Sequence, residues 1–357
     1  MTFRIETTDL KSLILAEAQA LGFDLCRVAA AGAPLHAAEF RAWLDEGKHG
    51  AMAWMERNAD RRTDPQLVLP GAQSVLVLGL NYWQRDVAAT GTASTQPRGR
   101  IARYAWGDDY HDIIEPKLWA LDAFLQQHGG KQRQYVDTGP VLERDFAALA
   151  GAGWQGKSTM LIHPKLGTWT FLASILTTLD LAPDEPMSDH CGKCTRCMVA
   201  CPTGAITAPH QVDARLCVSY LTIENKGPIP LELRAAIGDR IYGCDDCLEA
   251  CPWNRFAVES REARFAAREF VGMPLRELLG LDEEGFRALF RKSPIKRIKR
   301  VRLLRNVCVA LGNVGTAEDL PALARAEQDP EPLIAEHAAW ASGEIRRRMG
   351  QANLERV

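Results

Sequence analysis

The sequence lacks several features that would fix its class at once. No segment approaches the roughly 20 uninterrupted apolar residues that a bilayer-crossing helix needs. The first residues, MTFRIETTDLKSLILAEAQALGF, mix charge into the apolar positions from Arg4 onward and show no small-residue cleavage site, so no export signal is apparent. Neither sign of charge dominates: 43 Lys and Arg face 45 Asp and Glu, for a formal net charge of -2. At 46% hydrophobic and 25% charged residues over 357 positions, the composition is that of two or three ordinary globular domains, neither disordered nor fibrous. These absences predict a cytoplasmic protein in a reducing environment, where structural disulfides are uncommon.

Ten cysteines then need another explanation. Cys26 and Cys308 stand alone in apolar surroundings and read as buried thiols. The other eight lie between Cys191 and Cys251. CGKCTRCMVACP gives C-x-x-C-x-x-C-x-x-x-C-P, the spacing with which bacterial ferredoxins wrap a chain around one 4Fe-4S cluster and send the fourth thiolate to a second. CDDCLEACP repeats the ending, with its first cysteine moved upstream to Cys217 by the insertion VSYLTIENKGPIPLELRAAIGDRIYG. Zinc sites also use paired cysteines but rarely this triple. The ferredoxin pattern therefore predicts two 4Fe-4S clusters, one on Cys191, Cys194, Cys197 and Cys251, the other on Cys201, Cys217, Cys244 and Cys247.

The surrounding pattern divides the chain in three. Residues 1–182 alternate helical segments (LKSLILAEAQALGF, AAEFRAWLDEG, HDIIEPKLWALDAFLQQHGG, LERDFAALAGAG) with strand segments (LCRVAA, SVLVLGLNYW, RQYVD), predicting an α/β domain. Residues 183–262 form the two-cluster ferredoxin-like domain. Residues 263–357 read as helices alone, broken at LGNVGT and QDPEP, in the manner of one or two HEAT-like repeats. The fold class is thus multi-domain α/β plus α.

Two motifs are refused. GAGWQGKS, Gly151 to Ser158, fits the P-loop expression, but a helix pattern precedes it and a strand pattern follows, the reverse of the order that cradles a nucleotide. The glycines instead make a turn presenting Lys157 and Ser158 to some other ligand. Asp109-Tyr110-His111 begins the D-x-H-x-x-G pattern that supplies an imidazole to cobalt in some corrinoid proteins, yet position 114 is Ile.

Charge is concentrated in one place. Arg291 to Arg305 holds eight Lys or Arg and no acid. After Pro294, Ile295, Ile298, Val301 and Leu304 follow a helical spacing that leaves Lys296, Arg297, Lys299, Arg300 and Arg302 largely on the other side, a face suited either to solvent or to nucleic-acid phosphates.

RYAWGDDYH, VDTGPVLER, GAGWQGKST, CGKCTRCMVACPTGAI, YGCDDCLEACPWN and SPIKRIKRVRLLRNVCVALGN, in order and at the right separations, resemble the epoxyqueuosine reductases over essentially the whole chain. The resemblance implies reduction of the epoxide of epoxyqueuosine at the tRNA wobble position to the cyclopentene of queuosine, with loss of water. It implies cobalamin in the N-terminal domain, fed by the two clusters from a low-potential electron donor. The missing His motif suits a base-off cobalamin. Asp137 in VDTGP becomes the expected general acid, with a helix cap for VLERDF as its alternative. The resemblance further implies cofactor contacts at Lys157, Ser158, Arg57 and Arg100, and a cluster-to-corrin contact lined by Ser219, Tyr220 and Gly243 to Asp245, Cys244 included. A monomer that binds tRNA through the basic face completes the expectation. A simple electron carrier and a dehalogenase-like small-molecule reductase remain as rivals. Neither accounts for the basic segment.

Overall fold

The structure is a computed structural model that describes residues 7–85 and 96–354. The first part comprises α1 (Thr7–Ala20), β1 (Leu25–Ala30), α2 (Ala37–Asp45), α3 (Ala53–Arg57), α4 (Ala59–Thr63), β2 (Ser74–Asn81), β3 (Arg100–Ile101), α5 (Tyr110–Gln127), β4 (Gln132–Tyr135), α6 (Glu143–Leu149), β5 (Trp154–Gln155), β6 (Leu161–Ile162) and β7 (Thr170–Thr177). Its sheet runs β1-β2-β7-β4, with each neighbouring pair antiparallel. The alternation of helix and strand in the sequence therefore serves an antiparallel sheet.

β2 shows why that sheet forms. All eight of its residues are buried, as its near-continuous apolar run requires of a central strand. Its side chains alternate between faces with the period of two of a pleated strand. Leu76, Leu78 and Leu80 join Ile14 and Ala18 of α1 and Ile113, Leu118 and Leu121 of α5 on one side. Val75 and Val77 meet Phe146 and Ala147 of α6 on the other.

The middle part contains α7 (Arg196–Ala200), α8 (Val218–Ile223), α9 (Leu231–Ile237), β8 (Arg240–Tyr242) and α10 (Asp246–Glu249). β8 pairs in parallel with β3, joining the middle part to the first. The tail consists of α11 (Leu275–Leu279), α12 (Glu283–Leu289), α13 (Lys299–Val314), α14 (Leu320–Ala326) and α15 (Pro332–Leu354), α13 and α15 packing along each other. Its core is shared: Leu304, Val307 and Leu311 cluster with Trp106 of the first part and Ile241 and Tyr242 of β8. The insertion after Cys217 explains this union. Arg305, fully buried, donates to the carbonyls of Leu221, Asn225 and Gly227, and Asn306 donates to those of Thr222 and Ile241. The extra chain between Cys217 and Cys244 is the dock on which the tail sits.

Among the described residues, no helix is long and apolar enough to cross a membrane.

Candidate active site and cluster module

The eight cysteines separate into two groups of four. Cys191, Cys194, Cys197 and Cys251 line one small cavity beside Trp253. Burial pushes the Cys251 thiol up, and the nearby thiols of Cys191, Cys197 and Cys194 push it further. Burial likewise raises Cys247, with Cys217, Cys244 and Cys201 among its neighbours, and pushes Cys244 up to about 12. Crowded thiols of this kind give up protons readily only to a bound cation, which is the behaviour of a metal-loaded site. Among the described residues no three His, Cys, Asp or Glu donors converge as single-ion ligands. Thiols spread around the body of an iron-sulfur cube do not have to. Cys308 is fully buried, and burial pushes the Cys26 thiol up to about 12.

A cavity of about 810 Å³ opens at one end of the antiparallel sheet. Tyr82, Phe171 and Tyr110 form part of its wall, with ring centroids 4.4 Å apart for Tyr82–Phe171 and for Tyr110–Phe171. Cys247 packs into the same core as Tyr82, so the second thiol group lies behind this wall. Arg62 Nε, Gln155 Oε1 and Thr170 Oγ1, all on lining residues, are buried without a hydrogen-bond partner. Unsatisfied buried polar atoms of this kind call for a ligand that brings partners.

Asp137 stands at this cavity, just past β4, at φ +50°. That conformation is uncommon for a residue other than glycine and is held where the surroundings enforce it. Tyr110 donates its hydroxyl to Asp137 Oδ2, and His111 Nε2 lies 3.3 Å from Oδ1. The cap alternative fails: α6 begins at Glu143 behind Leu142 with no side-chain cap. Burial resists a charge on His111, but Asp109 and Asp137 outweigh it and carry the imidazole up to about 10. Glu143 also faces the cavity, where enclosure first and Asp137 second push its carboxyl up to about 8. Sequence reasoning missed Tyr110, His111, Glu143 and Arg62. The first two lay in view inside the refused cobalt motif, at the start of a helix capped by Asp109.

Other expected contacts fall elsewhere. Lys157 does not line the large cavity; its ammonium donates to the carbonyls of Gly192 (2.7 Å) and Cys194 (3.0 Å), and with Ser158 it borders the Cys191 group. The GAGWQGKS stretch thus runs from the end of α6 through β5 and grips a cluster loop with Lys157, in the turn between β5 and β6. Arg100 is engaged by Asp239 (2.8 Å) and Asp246 (3.3 Å), bracing β3 to the module. Arg57 is exposed at the end of α3 and is not among the residues lining the cavity, unlike its neighbours Trp54 and Met55. Ser219 and Tyr220 lie on α8, and the Tyr220 hydroxyl accepts from Ala51 N at 2.7 Å, joining module to cavity rim. Gly243 has φ +68°, and a Cβ there would come within 2.6 Å of the Ala102 side chain, so its glycine answers to the backbone. Asp245 accepts from Arg103 N at 2.6 Å, and burial pushes its carboxyl up to about 6.

The basic segment is two pieces. A 3-10 turn, Pro294–Ile298, precedes α13, and Lys299 at the junction has φ +60°. Lys296 and Lys299 are exposed. Arg297 is exposed as well, pairs with Glu224 at 2.6 Å, and stands near Tyr104 and Tyr110. Arg300 and Arg302 depart from the expected face. Arg300 pairs with Asp329 and donates to Leu281 O, while Arg302 donates to the carbonyls of Ile298, Ile223 and Arg297. Arg300 is spent on holding the tail together, and Arg302 on tying it to α8.

Comparison with known proteins agrees with this construction. Residues 62–138 match the family model described as epoxyqueuosine reductase QueG, and residues 190–254 match a 4Fe-4S double cluster binding domain. Epoxyqueuosine reductase from Xanthomonas campestris pv. campestris is 43% identical over 343 residues, covering 95% of this chain and 97% of that protein. The Escherichia coli K12 enzyme is 42% identical over 306 residues, covering 85% and 81%. A crystal structure of an epoxyqueuosine reductase with an epoxyqueuosine-modified tRNA-Tyr stem loop superposes with a TM-score of 0.89 at 33% identity, covering 95% of this chain and 91% of that one. A Bacillus subtilis structure, in which a catalytic aspartate loop is swung out of the active site, gives 0.87 at 32% identity, with the same coverage. From its sheet to its paired cysteine groups, the chain belongs to the epoxyqueuosine reductase family.

Proposed function

We propose that this protein reduces epoxyqueuosine to queuosine at the wobble position of a tRNA anticodon, with Asp137 as the proton donor to the leaving oxygen. The observation that carries the reading is that the Asp137 carboxyl stands on a large cavity whose aromatic wall is backed, at Tyr82, by the Cys247 thiol group. Electrons leaving a cluster there have a short way to the cavity. The epoxyqueuosine reductase crystallised with a modified tRNA stem loop supports the substrate, and the swung-out aspartate loop of the B. subtilis enzyme supports a proton donor on a movable turn.

The eight thiols fit two 4Fe-4S clusters, on Cys191, Cys194, Cys197 and Cys251 and on Cys201, Cys217, Cys244 and Cys247. The cavity fits cobalamin: its aromatic wall suits a flat macrocycle, and the orphaned atoms of Arg62, Gln155 and Thr170 suit amide arms. When bound, a reduced cobalt corrin supplies a nucleophile toward carbon, together with electrons received singly from the clusters. The chain's own residues do the rest. Asp137 holds the proton over the cavity, Tyr110 and His111 fix its carboxyl, and Lys157 steadies the cluster loop. Lys296, Arg297 and Lys299 form the phosphate-facing surface, and Arg297 lies close to the Tyr110 corner. The HEAT-like tail serves as its support, the reading that best suits a cytoplasmic monomer served by a low-potential electron donor.

Anaerobically purified protein, reconstituted with iron, sulfide and cobalamin and given a chemical reductant, is expected to convert an epoxyqueuosine-bearing anticodon stem loop to the queuosine form, seen as loss of one oxygen by nucleoside mass spectrometry. Full iron-sulfur and corrin absorption bands with an unchanged stem loop would overturn the reading.

A further inference from the structure

Converting an epoxide to an alkene breaks two C–O bonds, forms one C=C bond and releases water, so it consumes two electrons and two protons. Asp137 carries one proton at a time. We propose that His111, held between Asp109 and Asp137, stores the second proton and passes it through its Nε2 to Asp137, so that Asp137 donates twice in one turnover. The inference rests on the reading of Asp137 as the proton donor.

The geometry is that of a relay. His111 Nδ1 lies 2.8 Å from Asp109 Oδ1, and Nε2 lies 3.3 Å from Asp137 Oδ1. Asp109 cannot swing freely, because the same Oδ1 accepts the His111 backbone N–H at 3.1 Å. The Tyr110 ring stacks on the imidazole at 4.2 Å and 29°, fixing its plane. The His111 side chain is 25% exposed, which leaves a route for a solvent proton. The charged and titratable groups around the pair are Asp109, Asp137 and Tyr110, with Glu143 beside Asp137 and Arg297 near Asp109 and Tyr110. Burial opposes an imidazolium here, yet Asp109 and, once it has given up its proton, Asp137 prevail and lift His111 to about 10, so the second proton is held beside the Asp137 carboxylate that needs it.

The steps balance. Asp137 gives its proton to the epoxide oxygen as the first C–O bond opens. The carboxylate so formed takes the His111 Nε2 proton. Asp137 then gives that proton to the hydroxyl as the second C–O bond breaks and water departs, and two solvent protons restore the imidazolium and, through it, the Asp137 carboxylic acid. The two electrons come from the external low-potential donor.

Two measurements test this on the reconstituted holoenzyme with its clusters oxidised. In 13C-histidine NMR, the signal lost in His111→Gln identifies His111, which is expected to stay protonated beyond pH 8. Asp109→Asn is expected to lower its midpoint by at least one pH unit. In turnover of the modified stem loop, His111→Gln is expected to lower kcat roughly tenfold to a hundredfold with KM nearly unchanged. Asp109→Asn is expected to move the high-pH limb of kcat down together with the NMR midpoint. A wild-type midpoint near the ordinary 6.5, or a limb that stays put while the midpoint moves, would sink the relay. Undiminished turnover in Asp137→Asn, with the His111 midpoint high in the wild type, would instead remove the donor on which the relay acts.

Discussion

The cluster module and the sheet domain meet behind Tyr82, yet they are held together by opposite means. The sheet domain buries two apolar faces of β2 beneath α1, α5 and α6, and its cavity is shaped by that packing. The module around Cys191 to Cys251 has helices of four to seven residues, and its cysteines are only partly buried. Among the apolar residues it does bury, Val218, Leu221, Ile229 and Ile237 pack with Val309 of the tail. One region is a built container. The other is a set of loops and short helices arranged around eight thiols.

The largest expected effect strikes the loops alone. Cys251→Ser is expected to disturb the same iron-sulfur EPR signal as Cys191→Ser, and Cys217→Ser the other, with turnover abolished in each case. The circular dichroism of the sheet domain should survive chelation of the iron. If the Cys217 and Cys191 variants lost the same signal, or if iron removal unfolded the whole chain, the contrast between container and loops would fail.

Next in size is Asp137. Asp137→Asn is expected to keep fold, clusters and cobalamin binding while lowering turnover by roughly two to four orders of magnitude. Loss of cobalamin in place of turnover would make Asp137 a binding residue.

The same contrast explains what the sequence made legible. The proposed cluster ligands lie at short spacings, and a triple such as Cys191, Cys194 and Cys197 is visible in one line of text. So was β2, whose run from Ser74 to Asn81 is apolar enough to be central, and the VDTGP motif drew the eye to Asp137, which stands at the cavity. The cavity corner is different. His111, Glu143 and Arg62 come from three separate segments and acquire meaning only once α5, α6 and α4 converge on the end of the sheet. Arg300 and Arg302 show the converse. Their sequence context is uniformly basic, but Asp329 and the carbonyl of Ile223, which claim them, lie far along the chain.

That division of the basic segment sharpens the test for tRNA. Lys296→Ala/Lys299→Ala is expected to flatten the log-log salt dependence of stem-loop affinity by about one to two units, from roughly 0.7 to 0.9 per lost phosphate contact. Arg302→Ala is expected to leave the slope alone and to cost about 1–3 kcal/mol of stability, because buried carbonyls lose their donor. Equal effects of both changes on the slope would return Arg302 to the binding face.

The smallest effect concerns the container's own cost. Glu143 holds its proton up to about pH 8 in the fold, raised from the ordinary value of 4.5 chiefly by enclosure. Between those values the unfolded chain has lost the proton and the folded chain has kept it, so stability falls as pH rises, by up to about 1.4 kcal/mol per unit, and levels off above pH 8. His111, raised from 6.5 to about 10, adds a fall of the same sign within its own window, since its stabilisation is complete below 6.5 and lost as pH passes 10. Glu143→Gln retains a partner for the Ser174 hydroxyl, 3.2 Å away, but has no proton to lose. Its urea midpoint should therefore vary less than wild type between pH 5 and 6.5, where His111 contributes little, and should exceed wild type at pH 8. Parallel curves would show that the carboxyl ionises freely in the fold and that the cavity is wetter there than its walls imply.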